Sequence, residues 1–265
     1  MAGGMMILIL AIIAAGMYYR YNQKQKKLVA DYKLPANAES LLQEYVPFYK
    51  ELDEANRKVF LHRIHDFLAT TAINPVGDTV VEDMDRVFIA AGAIIPIFAF
   101  PDWKYNNIDE VLLYKTSFSD KYKTIGEGRN ILGMVGDGAL NRTMLLSQQA
   151  VRQGFMQPDD GRNTVIHEFT HLLDKADGSV DGVPEYLLSK QYIIPWVKQM
   201  HNEIKYMRDW GNDINPYGAT NEAEFFAVVS EYFFERPHQL QEHHPELYAL
   251  LKEMFTRHLK PQETA

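Results

Sequence analysis

The stretch "NTVIHEFTHLLDKADG" (163–178) sets His167 and His171 one helical turn apart, with Glu168 beside the first. Two imidazoles at that spacing on a helix can share one tetrahedral ion, and the carboxylate can reach a water in its open position. The chemistry such a set performs is hydrolysis: the ion polarises a carbonyl and acidifies water, while the carboxylate moves the proton. H-E-x-x-H fixes only three letters. In a chain with nine histidines, the competing account is an amphipathic surface helix that carries the pattern by chance.

At about 100° per residue, Val165, Ile166, Phe169, Leu172 and Leu173 cover one face of this helix. His167 and His171 lie opposite, next to Asp174, and Glu168 is offset toward the flank. Asn163 or Thr164 can cap the start and Gly178 suits the stop. Asp174 is placed to orient a ligand histidine from behind. The chain has no cysteine, which excludes disulfides, thiolate zinc sites and cysteine nucleophiles together. Any zinc must therefore be held by His, Asp or Glu.

Catalytic zinc takes a third protein ligand. Downstream, "PYGATNEAEFFAVVSEYFFERP" (216–237) reads as a helix on which Glu224, Glu231 and Glu235 form one stripe beside Val228. Carboxylates on one stripe of an apolar helix face either water or a cation. Asn221 and Glu224 also have capping-box spacing, so Glu224 can serve the helix start alone. Glu222 and Glu231 compete as ligands, and spacing does not choose among them. Tyr217, following Pro216, is either a packing residue or a hydroxyl beside the reacting atoms.

The elements that must position these groups belong to a chain of 265 residues, 46% hydrophobic, 23% charged and 12% aromatic. That composition is globular, with material for a substantial core. A net charge of −8 argues against a nucleic-acid partner. Residues 1–19 carry no charged side chain and are followed by Arg20, Lys24, Lys26 and Lys27. A helix of that length rises about 28 Å, close to the roughly 30 Å hydrocarbon core. The flanking charges predict a single-pass membrane anchor over 1–22, with the remainder cytoplasmic, rather than a cleaved signal peptide. A polar tether over 23–40 and one catalytic domain over 41–265 follow from this division.

Within that domain, residues 41–71 have helical periodicity interrupted at Pro47. "VFIAAGAIIPIFAF" (87–100) reads as a buried core element, and 108–118 contains a short strand. The glycine-punctuated stretch 125–151 suggests a hairpin or edge strand, with "NRTMLLSQ" either an exposed edge for an added peptide strand or an internal strand. Helices outnumber strands, so the predicted class is helix-dominated α+β. His62 and His65 share a helix face and read as solvated. "IGEGRNILG" departs from the dinucleotide fingerprint, "DKADGSVDG" lacks calcium-loop spacing, and there is no G-x-S-x-G.

"HEFTHLLDKADGSVDGVP" with "YGATNEAEFFAVVSEYFFERP", and upstream "VFIAAGAIIPIF", "VLLYKTSF" and "GDGALNRTMLLS", resemble the Mlc titration factor A family of zinc-dependent peptidases over roughly residues 45–255. "YGATNEAEFFA" is also similar to the active-site helix of the anthrax lethal factor protease domain. Both groups are gluzincins. The resemblance implies a zincin-like metallopeptidase fold with a small sheet and a zinc ion held by His167, His171 and Glu224. It implies Glu168 as general base and Tyr217 as a transition-state group; beside these, the helix faces leave Asp174 and Glu231 as candidates for a place behind the ligands. It further implies a peptide or protein substrate, with aminopeptidase action as one mode. A binding role is the alternative, in which the chain sequesters a transcriptional regulator. Thr170 stands where the family usually has alanine, at a position pointing away from the metal. The N-terminal apolar helix lies outside the match.

Overall fold

The apolar run 87–100 is buried throughout, and helices that precede and follow it in the chain pack against it. The computed structural model describes residues 2–117, 132–135 and 142–258. The chain starts with a long helix, α1 (Ala2–Asp31), followed by α2 (Ala38–Tyr45), α3 (Pro47–Glu51) and α4 (Glu54–Thr70). Pro47 opens α3, where its missing N–H costs nothing. The Asp53 carboxylate accepts from Asn56 N–H at 2.8 Å and starts α4. Strand β1 (Ala72–Pro75) leads to α5 (Asp83–Ile94), whose 3-10 continuation Ile95–Ile97 is as buried as the helix itself. Strands β2 (Glu110–Tyr114), β3 (Gly133–Val135) and β4 (Thr143–Ser147) follow, then α6 (Gln148–Met156) and α7 (Thr164–Asp174). The remainder is helical: α8 (Lys190–Asp209), a 3-10 turn at Pro216–Ala219, α9 (Glu222–Glu235), α10 (Pro237–His243) and α11 (Pro245–Thr256).

The four described strands make one mixed sheet in the order β1-β2-β4-β3. β1, β2 and β4 run parallel, and β3 returns antiparallel to β4, pairing Gly133 with Leu146 and Val135 with Met144. β4, within "NRTMLLSQ", is therefore an internal strand, paired on both sides, and the described edges are β1 and β3. The other parts of the glycine-punctuated stretch before residue 142 lie outside the described residues. A helix-dominated α+β fold with a small sheet is what the sequence predicts.

The membrane anchor is corrected. Among the described residues no helix is long and apolar enough to cross a membrane, which overturns the expected transmembrane helix and the membrane localisation derived from it. The apolar run is only the first part of a longer, charged helix. The helix does not end with the apolar run but continues as α1 through Arg20, Lys24, Lys26 and Lys27 to Asp31. Residues 23–31, expected within a tether, are part of that helix. Just beyond it, the Tyr32 ring meets His65 of α4 edge-on at 5.6 Å.

Candidate metal centre

α7 and α9 bring the predicted groups together. Asn163 caps α7 by accepting from Ile166 N–H at 3.2 Å. Val165, Ile166, Phe169, Leu172 and Leu173 are buried in the core, which turns His167 and His171 toward α9. Gly178, at φ 100°, takes the left-handed conformation that ends the 3-10 turn after α7. On α9, Asn221 accepts from Glu224 N–H at 2.9 Å. The helix start is thus served by the Asn221 side chain, and the Glu224 carboxylate is turned to the histidines instead.

His167 Nε2 lies 3.0 Å from Glu224 Oε2 and 3.1 Å from His171 Nε2. His171 Nε2 lies 3.4 Å from the same carboxylate oxygen. Behind the site, His167 Nδ1 meets Glu231 Oε1 at 2.7 Å. A carboxylate accepts, so Nδ1 carries the proton, and in the neutral ring Nε2 directs its lone pair at the other two atoms. Three acceptors converging in this way repel one another unless protons or a cation lie between them. Ligands about 2.0–2.1 Å from a tetrahedral ion sit roughly 3.3 Å apart, which is the observed spacing. The residues present fit a zinc-sized ion.

The electrostatics of the side chains agree. Burial works to raise the Glu224 carboxyl, but the hydrogen bonds and charges of His167 and His171 hold it down at about 2. Burial opposes charge on His167, yet Glu231 and Glu224 raise its pKa well above the usual imidazole range. Glu168 is buried, and that burial raises its pKa while the neighbouring histidines pull the other way. Its carboxylate lies against β3. A Cβ on Gly133 would come within 2.6 Å of Glu168 Cγ and Oε1, so only glycine leaves room there. Tyr217 stands on the 3-10 turn before α9, half exposed, with its ring 6.1 Å from that of His167. Burial of its hydroxyl, then the Glu224 carboxylate, raises its pKa.

Asp174 is placed differently from the other candidates. Its Oδ2 accepts from Gly182 N–H at 2.9 Å, with no hydrogen bond to a histidine among the described residues. Burial raises its pKa to about 6. Three groups without a predicted part in the centre also bear on it. Gly133 is one. Asn163 is another: besides capping α7, its backbone N–H donates to Glu231 Oε2 at 2.6 Å and its amide donates to Glu235 Oε1 at 3.2 Å. Glu235 is the third, pushed up to about 9 by burial and by acidic neighbours, only partly offset by Asn163. Its place on the Glu224–Glu231 stripe was the available signal.

A model of the family described as glucose-regulated metallo-peptidase M90 matches residues 20–256. An uncharacterized protein of Synechocystis sp., slr2042, is 29% identical over 84% of this chain and 84% of its own length. The Mlc titration factor A of Pectobacterium atrosepticum is 26% identical, covering 79% of this chain and 82% of its own. That of Serratia proteamaculans is 27% identical, covering 77% and 80%.

Proposed function

We propose that this chain, which belongs to the glucose-regulated metallo-peptidase M90 family, is a zinc-dependent peptidase in which His167, His171 and Glu224 hold the ion. The family implies a metal. Zinc is favoured by a donor set of two imidazoles and one carboxylate without a thiolate. The observation that carries the proposal is the convergence of three ligand atoms, 3.0–3.4 Å apart, in front of a histidine held from behind by Glu231.

Bound there, zinc would supply a Lewis acid for the scissile carbonyl and for the attacking water. The remaining work falls to the protein. Glu168, in a dry position against β3, takes the proton from the attacking water and passes it to the leaving amine. The Tyr217 hydroxyl, on a half-exposed ring beside that of His167, donates to the developing oxyanion. Glu231 keeps His167 in the tautomer that leaves Nε2 free. β3 ends the described sheet, and an extended peptide paired along it would run past Glu168.

The test uses the purified full chain, its metal content and a peptide library, with wild type beside Glu168→Gln. Glu168→Gln should keep the metal and lose turnover by about 10²–10⁴-fold, the usual contribution of a general base. Equal turnover in the two proteins would remove Glu168 from the mechanism. Amino-terminal acetylation of the cleaved peptides reads the mode: loss of cleavage marks an aminopeptidase, and retention marks an endopeptidase.

A second reading has its own observation. Relatives carry the name Mlc titration factor A, which states that they titrate Mlc. By that likeness the chain would capture a regulatory protein. Bound metal without Glu168-dependent turnover on any peptide favours this role over catalysis.

A further inference from the structure

A second cluster of ligating side chains lies on α4, away from the centre between α7 and α9. His62 Nε2 is 3.9 Å from Asp66 Oδ1, and His65 Nδ1 is 3.5 Å from the same oxygen. One ligand atom from each of the three residues lies within 4.8 Å of the other two. The sequence reading of this helix face as merely solvated overlooked Asp66, which adds the third donor one residue after His65.

The orientation of His65 gives the cluster its character. Its Nε2 faces the Tyr32 carbonyl oxygen at 3.1 Å. A carbonyl only accepts, so Nε2 carries the proton and, in the neutral ring, Nδ1 presents a lone pair. That lone pair points at Asp66 Oδ1, a second acceptor. Two acceptors face each other favourably only across a proton or a cation. A backbone carbonyl on the far nitrogen is also how ligand histidines are commonly fixed. The other oxygen of Asp66 is engaged separately, accepting from Lys104 Nζ at 2.9 Å. Lys104 thereby leaves Oδ1 free for the imidazoles, although its charge disfavours a second cation nearby.

Two of the three donors are held in place, with side chains of His65 and Asp66 only 24% and 17% exposed. His62 is 72% exposed and can close the remaining distance by side-chain rotation. We propose that His62, His65 and Asp66 form a second, exchangeable site for a divalent transition metal of the zinc, copper or nickel class, weaker than the centre between α7 and α9. Because the Tyr32 carbonyl orients His65, occupancy would also tie α4 to the segment that follows α1. The proposal does not depend on the peptidase reading.

The test takes the full chain, stripped of metal by a chelator, and titrates it with zinc alone by calorimetry and equilibrium dialysis. Replacing both histidines (His62→Gln with His65→Gln) should remove one zinc equivalent from the weaker class and leave Glu168-dependent cleavage unchanged. Lys104→Met keeps all three donors, so it reports even if the double variant folds poorly. Removing that charge, a few ångströms from the ion and close to water, should tighten the weaker class about three- to fivefold. Equal zinc uptake by wild type and the double histidine variant overturns the proposal. So does a Lys104→Met protein whose weaker class is absent or unchanged in affinity.

Discussion

Glu231→Gln isolates the part of the centre that touches no substrate. Its carboxylate accepts two hydrogen bonds, one from His167 Nδ1 at 2.7 Å and one from the Asn163 backbone N–H at 2.6 Å. Glutamine has the same shape but only one acceptor oxygen, so its NH₂ must face one of those donors. If it faces Asn163, a buried backbone N–H at the start of α7 is left without an acceptor, which costs about 1–3 kcal/mol. If it faces His167, the ring must present a lone pair at Nδ1 and carry its proton on Nε2, the nitrogen aimed at Glu224 and His171. The second outcome blocks the metal directly. Loss of a partner behind a ligand histidine typically weakens metal affinity 10–100-fold, or about 1.4–2.7 kcal/mol. The assay is zinc affinity by chelator competition, with thermal unfolding of the metal-free and zinc-loaded protein. Zinc affinity within twofold of wild type and an unchanged unfolding temperature would refute the role assigned to Glu231.

Tyr217→Phe should lower kcat about 10²–10³-fold with KM and stability nearly unchanged, the pattern of a lost oxyanion donor on a half-exposed ring; steady-state kinetics on one cleaved peptide decide it, and a pure KM effect would argue for packing. Gly133→Ala puts a methyl group within 2.6 Å of Glu168 Cγ and Oε1 and 2.8 Å of Thr164 Cγ2. It should cost about 1–3 kcal/mol in denaturant unfolding and lower kcat together with it; wild-type stability and turnover would contradict the contact. Glu235 has its pKa raised from 4.5 to about 9 in the folded chain, so between those values the native state binds the proton that the unfolded state releases. Its contribution is present below about pH 4.5 and is lost as pH rises toward 9. Glu235→Gln, permanently neutral, should therefore unfold at a rising temperature relative to wild type across that window, and a pH-independent difference would remove Glu235 as the source.

The first part of the centre was legible because a helix turns spacing into direction. His167 and His171 are four residues apart with an apolar face opposite, and that alone aims both rings the same way. The later helix offered Glu222, Glu224 and Glu231 as competing carboxylates, and periodicity could not say which one met the histidines. The structure separates them by depth along α9. Glu224 reaches Nε2 of both histidines, while Glu231, two turns on, reaches Nδ1 of His167 from behind. Glu222 instead lies 3.6 Å from His201 of α8.

What stayed hidden depends on contacts between distant segments, which no local pattern encodes. Asp174 sits on the ligand face of α7 by the wheel, yet the loop after α7 folds back and the Gly182 N–H claims its carboxylate. Gly133 is unremarkable in sequence and becomes specific only because β3 is the described edge strand nearest Glu168. The N-terminal run was read from its composition, a local property; the helix that contains it continues into a charged stretch and ends beside α4. A local pattern fixes which way a side chain leaves its own helix. What it meets there is decided by the neighbouring element, and in this chain that meeting distinguishes a ligand from a cap, as Glu224 shows: its backbone N–H satisfies the cap and its carboxylate faces the histidines.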